Sequence, residues 1–311
     1  MSDNKDNKKN LTVFDKRDTK KIKRNAPKRK KIEPKNNQIM ADKKKKNTKI
    51  VLIIISILVS LALIVAVVLL SKKQQTKQSI TPNLPTTKYT TIDNIEKLKE
   101  FDKQNSDAVA WLRLTNTAID DPVVQAKDND FYLRKTELKK YNIYGCYFAD
   151  YECKMGDDRT SLSENTIIYG HSAPRENPNG KKFEQLFKYR DLEFLQKNPI
   201  IYLSLPNENI SFEIFAVFYT NTDFYYISPQ PLTEDFENFT KEIYDKNEFI
   251  FENGKISKND KILTLSTCAY RYDKANKGDH RFVIMARMLD KNETPKTTKI
   301  TVNPNPQRPS N

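Results

Sequence analysis

The sequence predicts a mainly β domain of eight short strands, closed as a barrel or packed as a sandwich, carried behind one membrane-spanning helix. Two observations lead to the domain and a third to the helix. Apolar runs of four to eleven residues recur eight times between positions 109 and 289, with turn-forming residues between them, which is the pattern of short strands. Only a few stretches among them place apolar residues at helical spacing. Upstream, residues 50–70 form an uncharged run of 21 residues, which at about 1.5 Å per residue spans roughly the 30 Å of a bilayer core.

The charge follows the same division. Residues 1–49 hold 19 Lys and Arg against 6 Asp and Glu, so +13 of the formal net charge of +14 lies in this tail. The rest of the chain is nearly neutral, which argues against a basic groove for nucleic acid on the folded part. With few large apolar residues, the tail cannot offset its ordering entropy and is expected to be disordered. Lys43 to Lys46 and Lys49 precede the apolar run and outnumber Lys72 and Lys73 after it. The positive-inside rule therefore places residues 1–49 in the cytoplasm and the remainder outside, with membrane lipid as a partner. The run is longer than the core of a cleaved signal peptide, and no small-residue cleavage site follows it. Residues 71–90 read as a polar, proline-bearing stalk and 91–290 as the folded domain. Residues 291–311, with four prolines and no apolar run, are expected to be a flexible C-terminal tail.

Within the domain, Ile92, Ile95, Leu98 and Phe101 recur every three residues, an apolar stripe on a short helix. Strands are predicted at 109–114, 122–125, 144–150, 165–170, 200–205, 210–220, 261–267 and 281–289. Two further helical stretches interrupt them, one through Phe183, Leu186 and Phe187 on to Leu195, the other through Phe236, Phe239, Ile243 and Tyr244.

Chemistry concentrates at three strand ends. Cys268 closes the run ILTLST and opens a polar loop, a place where the barrel packs the backbone while the sulfur faces a cleft, as a nucleophile requires. Of the chain's two histidines, His171 also follows a strand end, NTIIYG, and is the candidate acid/base; His280 reads as part of a loop. Arg281 opens the strand RFVIMAR. That strand is expected to lie antiparallel to the Cys268 strand across the intervening loop of 12 residues, which brings the end of one beside the start of the other. A guanidinium there favours a thiolate and donates to a carbonyl oxygen that is acquiring charge. Arg271 and Arg287 are weaker candidates.

YGHS around His171, TLSTC ending at Cys268 and RFVIMAR starting at Arg281 resemble a sortase, and TLSTC in particular resembles class B. The resemblance extends from about Thr91 to Leu289 through AWLRL, DDPVVQAKDNDFYL, GCYFADY and FEQLFKY. It implies a sortase-type eight-stranded β-barrel with an N-terminal helix and added surface helices, one of them before the cysteine strand. It also implies a reaction. The cysteine attacks the backbone carbonyl after a threonine in the C-terminal sorting signal of a surface protein, and the thioacyl enzyme is resolved by an amine of a peptidoglycan precursor. By matched positions, His171 protonates the leaving amine and deprotonates the incoming one, while Arg281 holds the substrate and its oxyanion. The class B substrate groove maps onto Asn129, Leu133, Thr222, Tyr226, Ile227 and Ser266. The chain departs from the family in a longer loop between Cys268 and Arg281, and in Ala269 and Tyr270, which replace acidic residues that some relatives carry after the cysteine.

Three alternatives stay open. A class B-like pilin polymerase would use the Lys side chain of a pilin subunit as the amine, a Cys-His protease would use water, and a binding module would use neither. Cys146 and Cys153 lie seven residues apart, roughly 20 Å along a straight strand, and are expected to stay reduced. Two histidines without CxxC or HExxH spacing form no metal constellation, and no cofactor is expected.

Overall fold

All eight runs predicted as strands pair with one another, and two further strands form. In chain order they are β1 (Ala108–Leu114), β2 (Asp120–Val124), β3 (Tyr147–Ala149), β4 (Asn165–Tyr169), β5 (Ile200–Ser204), β6 (Asn209–Thr220), β7 (Phe249–Glu252), β8 (Ile262–Cys268), β9 (Arg281–Met288) and β10 (Lys299–Val302). Eight of them close a barrel in the order β1-β2-β3-β4-β8-β9-β6-β5, and β7 pairs with β10. The pairs β2·β3 and β4·β8 are parallel, and the remaining barrel pairs are antiparallel. The computed structural model describes residues 92–275 and 277–310, with positions 52, 55–61, 63 and 65 in a helix upstream. Among the described residues no helix is long and apolar enough to cross a membrane. Much of the span expected at 50–70 lies outside the described residues, as do the expected tail at 1–49 and stalk at 71–90.

The apolar strands lack a polar alternation because the barrel wall is buried on both faces over much of its length. Ile168 of β4, Leu263 and Leu265 of β8, and Phe282, Ile284 and Ala286 of β9 point into the barrel core. Ile262, Val283 and Met285 join a second apolar cluster on the outside, as the two-residue period of a strand requires. In β6 the inward residues are first Ile210, Phe212 and Ile214, then Val217 and Tyr219. The change of parity falls at the register shift against β9 between Ile214 and Ala216, where an extra residue turns Phe215, Ala216 and Phe218 to the outer cluster.

Helices cover that outer cluster and one end of the barrel. In α1 (Ile95–Asp102) Leu98 is buried, and Phe101 packs beside Tyr132 and Phe148. The stretch expected as one helix through Phe183 to Leu195 divides into a 3₁₀ run, Lys182–Arg190, and α2 (Leu192–Lys197). Asp191 separates them by capping α2, its carboxylate accepting from the Phe194 N–H at 2.8 Å. After α3 (Pro231–Glu234), α4 (Phe236–Lys246) lays Phe239 and Ile243 onto Phe215, Phe218 and Met285.

Two expectations need correction. The strand expected at 144–150 shortens to β3 because Gly145 turns the chain at φ +59, where a Cβ would lie 2.7 Å from the Leu133 carbonyl oxygen. Residues 291–311 are not a loose tail throughout. β10 pairs with β7, Ile300 is buried in the barrel core, and Arg308 forms a two-armed ion pair with Glu248 at 2.8 and 2.7 Å. Glu213 of β6 anchors the approach to β10. Its carboxylate accepts from the Lys296 and Thr297 N–H groups at 2.9 and 2.7 Å and pairs with Arg287 at 3.0 Å, with both side chains nearly fully buried. Removing one partner strands a buried charge, so Glu213→Ala is expected to cost about 3 kcal/mol in chemical denaturation. A loss below about 1 kcal/mol would show that the C-terminal segment docks without it.

Candidate active site

Strand alternation decides which polar side chains meet on the outside of the wall. Counting outward from the inward-facing Ile168, Leu265 and Phe282, the outer face receives Tyr169 and, two residues on, His171 from the β4 end. The same count gives Ser266 and Cys268 from β8 and Arg281 from β9. Register then aligns them. Tyr169 is paired with Ser266 across the parallel β4·β8 ladder, and Cys268 is paired with Arg281 across the antiparallel β8·β9 ladder. His171, Cys268 and Arg281 therefore form a row over three neighbouring strands, which lie about 4.8 Å apart. All three are half-buried, as groups that must be packed yet reachable should be.

Hydrogen bonds extend the β4·β8 pairing past the end of β4. The Gly170 N–H donates to the Ser266 carbonyl at 3.3 Å, the Thr267 hydroxyl donates to the Gly170 carbonyl at 2.8 Å, and the Ser172 hydroxyl donates to the Cys268 carbonyl at 2.5 Å. A Cβ on Gly170 would sit 2.6 Å from the Phe183 ring, so the residue before His171 has no room for a side chain. Arg281 is oriented by its own loop, its Nη1 donating to the Gly278 and His280 carbonyls at 2.9 Å each. Burial, then the Arg134 guanidinium, holds the His171 imidazole below its ordinary pKa, while Glu184 pulls the other way. The weaker candidates fall away by position. Arg287 is six residues along β9 and engaged with Glu213 and Glu293, and the side chain of His280 is buried at the loop end.

The six groove candidates are brought toward this row to different degrees. Ser266 is buried two residues before Cys268, and its hydroxyl shares a hydrogen bond with the Tyr226 phenol at 2.8 Å. Burial raises the Tyr226 pKa, while the Ser266 hydrogen bond and the charge of Arg281 oppose the rise. Ile227 packs beside Tyr226 in the outer cluster. Leu133 is 45% exposed on the loop between β2 and β3, next to Arg134. Asn129 is tied into that loop, donating to Asp150 at 2.9 Å and accepting from the Tyr151 N–H at 3.1 Å. Asp150 in turn accepts from the Tyr169 hydroxyl at 2.7 Å. Thr222 is exposed at the start of the connection that carries Tyr226. A cavity of about 560 Å³ behind this connection is lined by Phe224, Tyr225, Phe239 and Arg308 and does not include the row.

Several residues of the site carried no signal in the sequence. Glu176 is buried and ties the two loops together. Its carboxylate accepts from the Tyr270 and Arg271 N–H groups at 2.7 and 2.9 Å, from Arg190 at 2.7 Å and from the Tyr219 hydroxyl at 3.0 Å. The loop after Cys268 is thus held from the loop after His171, in a chain where Ala269 and Tyr270 supply no carboxylate of their own. Half-buried Tyr270 borders the row, its phenol pKa raised by burial and by the neighbouring Cys268, and opposed by Arg281 and Arg134.

Comparisons with known proteins agree with this geometry. The Sortase domain family model matches residues 112–289. Sortase B of Listeria monocytogenes is 38% identical over 197 residues, which cover 63% of this chain and 75% of the relative. A Staphylococcus aureus sortase B-substrate complex is 26% identical with a TM-score of 0.52, over 63% of this chain and 85% of that one. Clostridium perfringens sortase B is 31% identical with a TM-score of 0.52, over 62% and 99%.

The thiols differ in accessibility. Cys146 and Cys153 are unpaired and buried, and burial pushes both up to about 12; Cys268 is partly exposed. Only a thiolate alkylates readily. Iodoacetamide at neutral pH is therefore expected to label the native protein once, and Cys268→Ala not at all. A second equivalent taken up without denaturant would contradict the buried assignment.

Proposed function

The chain belongs to the sortase family of cysteine transpeptidases and, within it, to class B, and on that premise we propose that it joins surface proteins to the cell wall from a membrane anchor. The substrate is a protein with a C-terminal sorting signal, cut after a threonine. The acceptor is an amine of a peptidoglycan precursor. The observation that supports this activity is the row of thiol, imidazole and guanidinium on one outer face of the barrel.

The Cys268 thiol passes its proton to His171 as its sulfur attacks the threonine carbonyl carbon, and the carbonyl oxygen takes up the negative charge beside the Arg281 guanidinium. Collapse of this adduct breaks the peptide bond as His171 gives a proton to the departing amine, leaving a thioester on Cys268. The acceptor amine then attacks the thioester carbonyl, loses its proton to His171, and expels the thiolate. Leu133, Thr222 and Ile227 supply side walls for the sorting signal. Tyr226 and Ser266 form its floor, and Asn129 braces the loop that bears Leu133.

The activity is tested with the full chain in detergent, a library of peptides bearing threonine at the cleavage position, and a glycine peptide as amine. Adduct is expected to exceed hydrolysed product. Cys268→Ala is expected to abolish both, while His171→Ala and Arg281→Ala lower kcat/KM by about 10² or more. Cleavage indifferent to added amine would instead indicate a hydrolase, and adduct formed only with a pilin lysine would indicate a pilin polymerase.

Residues 50–70 anchor the protein as a single-pass helix with residues 1–49 in the cytoplasm and the catalytic domain outside, a placement supported by the length of the apolar run and the lysines before it. Protease added to intact cell-wall-stripped cells is expected to digest the domain and spare the tail. Release of the full-length protein by a carbonate wash would refute the anchor.

A further inference from the structure

We propose that Asp273 is a positioning residue for Arg281, shaping the loop after Cys268 so that the Gly278 carbonyl meets the guanidinium. The inference rests on the role given to Arg281 above. Asp273 is buried within that loop, and its two carboxylate oxygens accept from the Lys277 N–H at 2.8 Å and the Gly278 N–H at 2.7 Å. One side chain thereby folds the loop back on itself, as a short acidic residue can by binding backbone N–H groups a few positions on. Gly278 takes φ +74 at the fold, a conformation that glycine adopts at little cost. Its carbonyl then accepts from Arg281 Nη1 at 2.9 Å.

The second carbonyl on Nη1 is held as well. His280 accepts the Ala269 N–H at 2.9 Å on the same carbonyl oxygen that accepts from Arg281 at 2.9 Å. Nη1 carries two hydrogens, and the two carbonyls take both. A guanidinium is a rigid, planar fork of five N–H donors, so fixing Nη1 at two points fixes the plane and leaves the N–H groups of Nε and Nη2 for the substrate. With the His280 carbonyl alone, the guanidinium could pivot about that contact. The start of the loop is tied too: Glu176 accepts from the Tyr270 N–H at 2.7 Å, and the Tyr270 carbonyl accepts from the Asp273 N–H at 3.2 Å. Hydrogen bonds thus run without a break from the buried Glu176 to Arg281, and Asp273 is the link whose side chain makes the turn. Stabilising an oxyanion depends on donors that are aimed before the charge develops, so a guanidinium free to swing would hold the transition state less well.

A double-mutant cycle on transfer by the full chain in detergent, from a threonine-bearing peptide to a glycine peptide, tests this. Asp273→Ala is expected to lower kcat/KM about tenfold, a part of the roughly 10²–10³ that loss of a whole oxyanion donor costs. In an Arg281→Ala background the same change is expected to cost less than about twofold. Gly278→Ala adds a Cβ that meets no atom within 4 Å. It therefore disturbs only the turn, and is expected to repeat both the loss and its dependence on Arg281. Equal losses with and without Arg281, or no loss where Arg281 is intact, would overturn the proposal. Nitrogen-15 spectra of the arginine side chains read the guanidinium itself, with the Arg281 signals identified by their absence in Arg281→Lys. Rotation of Nη1 is expected to be slow in the wild type and faster in Asp273→Ala, and unchanged rotation would also overturn the proposal. If rotation quickens while Arg281→Ala leaves transfer intact, Asp273 positions the guanidinium and the oxyanion role of Arg281 fails.

Discussion

The site depends on the double pairing of β8, parallel to β4 on one side and antiparallel to β9 on the other. A strand turns alternate side chains to opposite faces, so a slip of one residue in either ladder would turn Cys268 away from a partner. Register is protected by what the inward residues do. Leu263, Leu265, Phe282, Ile284 and Ala286 fill the barrel core, and exposing any of the larger of them costs about 1.5–3 kcal/mol. The apolar residues that fill the core thus fix where the polar residues of the row stand. Backbone and hydroxyl bonds then carry the pairing beyond the last residue of β4, where an unsupported loop would otherwise begin.

A row of three groups on a barrel wall becomes a groove only when something rises beside it. The bulge in β6 exposes Phe215, Ala216 and Phe218 on the outer face, and α4 with the Tyr226 connection buries them. One irregularity in a strand therefore creates the apolar footing for the wall next to Cys268. The β2–β3 loop, shaped where Gly145 packs against the Leu133 carbonyl, brings Arg134 to His171. Loops supply the side chains beside the row and the barrel supplies the rigidity, a common division of labour.

Glu176 shows how one buried side chain can hold two loops of the site together. The first two residues after Cys268, Ala269 and Tyr270, supply no carboxylate, and one from the loop after His171 accepts the Tyr270 and Arg271 N–H groups. Because Arg190 and Tyr219 share the same carboxylate, the tie reaches both the 3₁₀ run and β6. Buried charge of this kind is costly unless fully paired, and here four donors meet it.

The sequence by itself determined the eight barrel strands and the three residues of the row, because strand runs are local in composition and Cys268, His171 and Arg281 stand at their ends. It did not disclose β7 and β10, which are four residues each and pair across nearly fifty positions, too short to stand out and too distant to suggest each other. Nor did it mark Arg134 or Glu176, and it named Tyr270 only as a departure from the resemblance. An arginine on a polar loop, a glutamate in PREN and a tyrosine after a cysteine look like ordinary surface residues until folding sets them against groups 37 to 95 positions away. Local periodicity reports which face of an element is buried, whereas the partner of a polar side chain is a property of the closed barrel, and only the tertiary structure decided it.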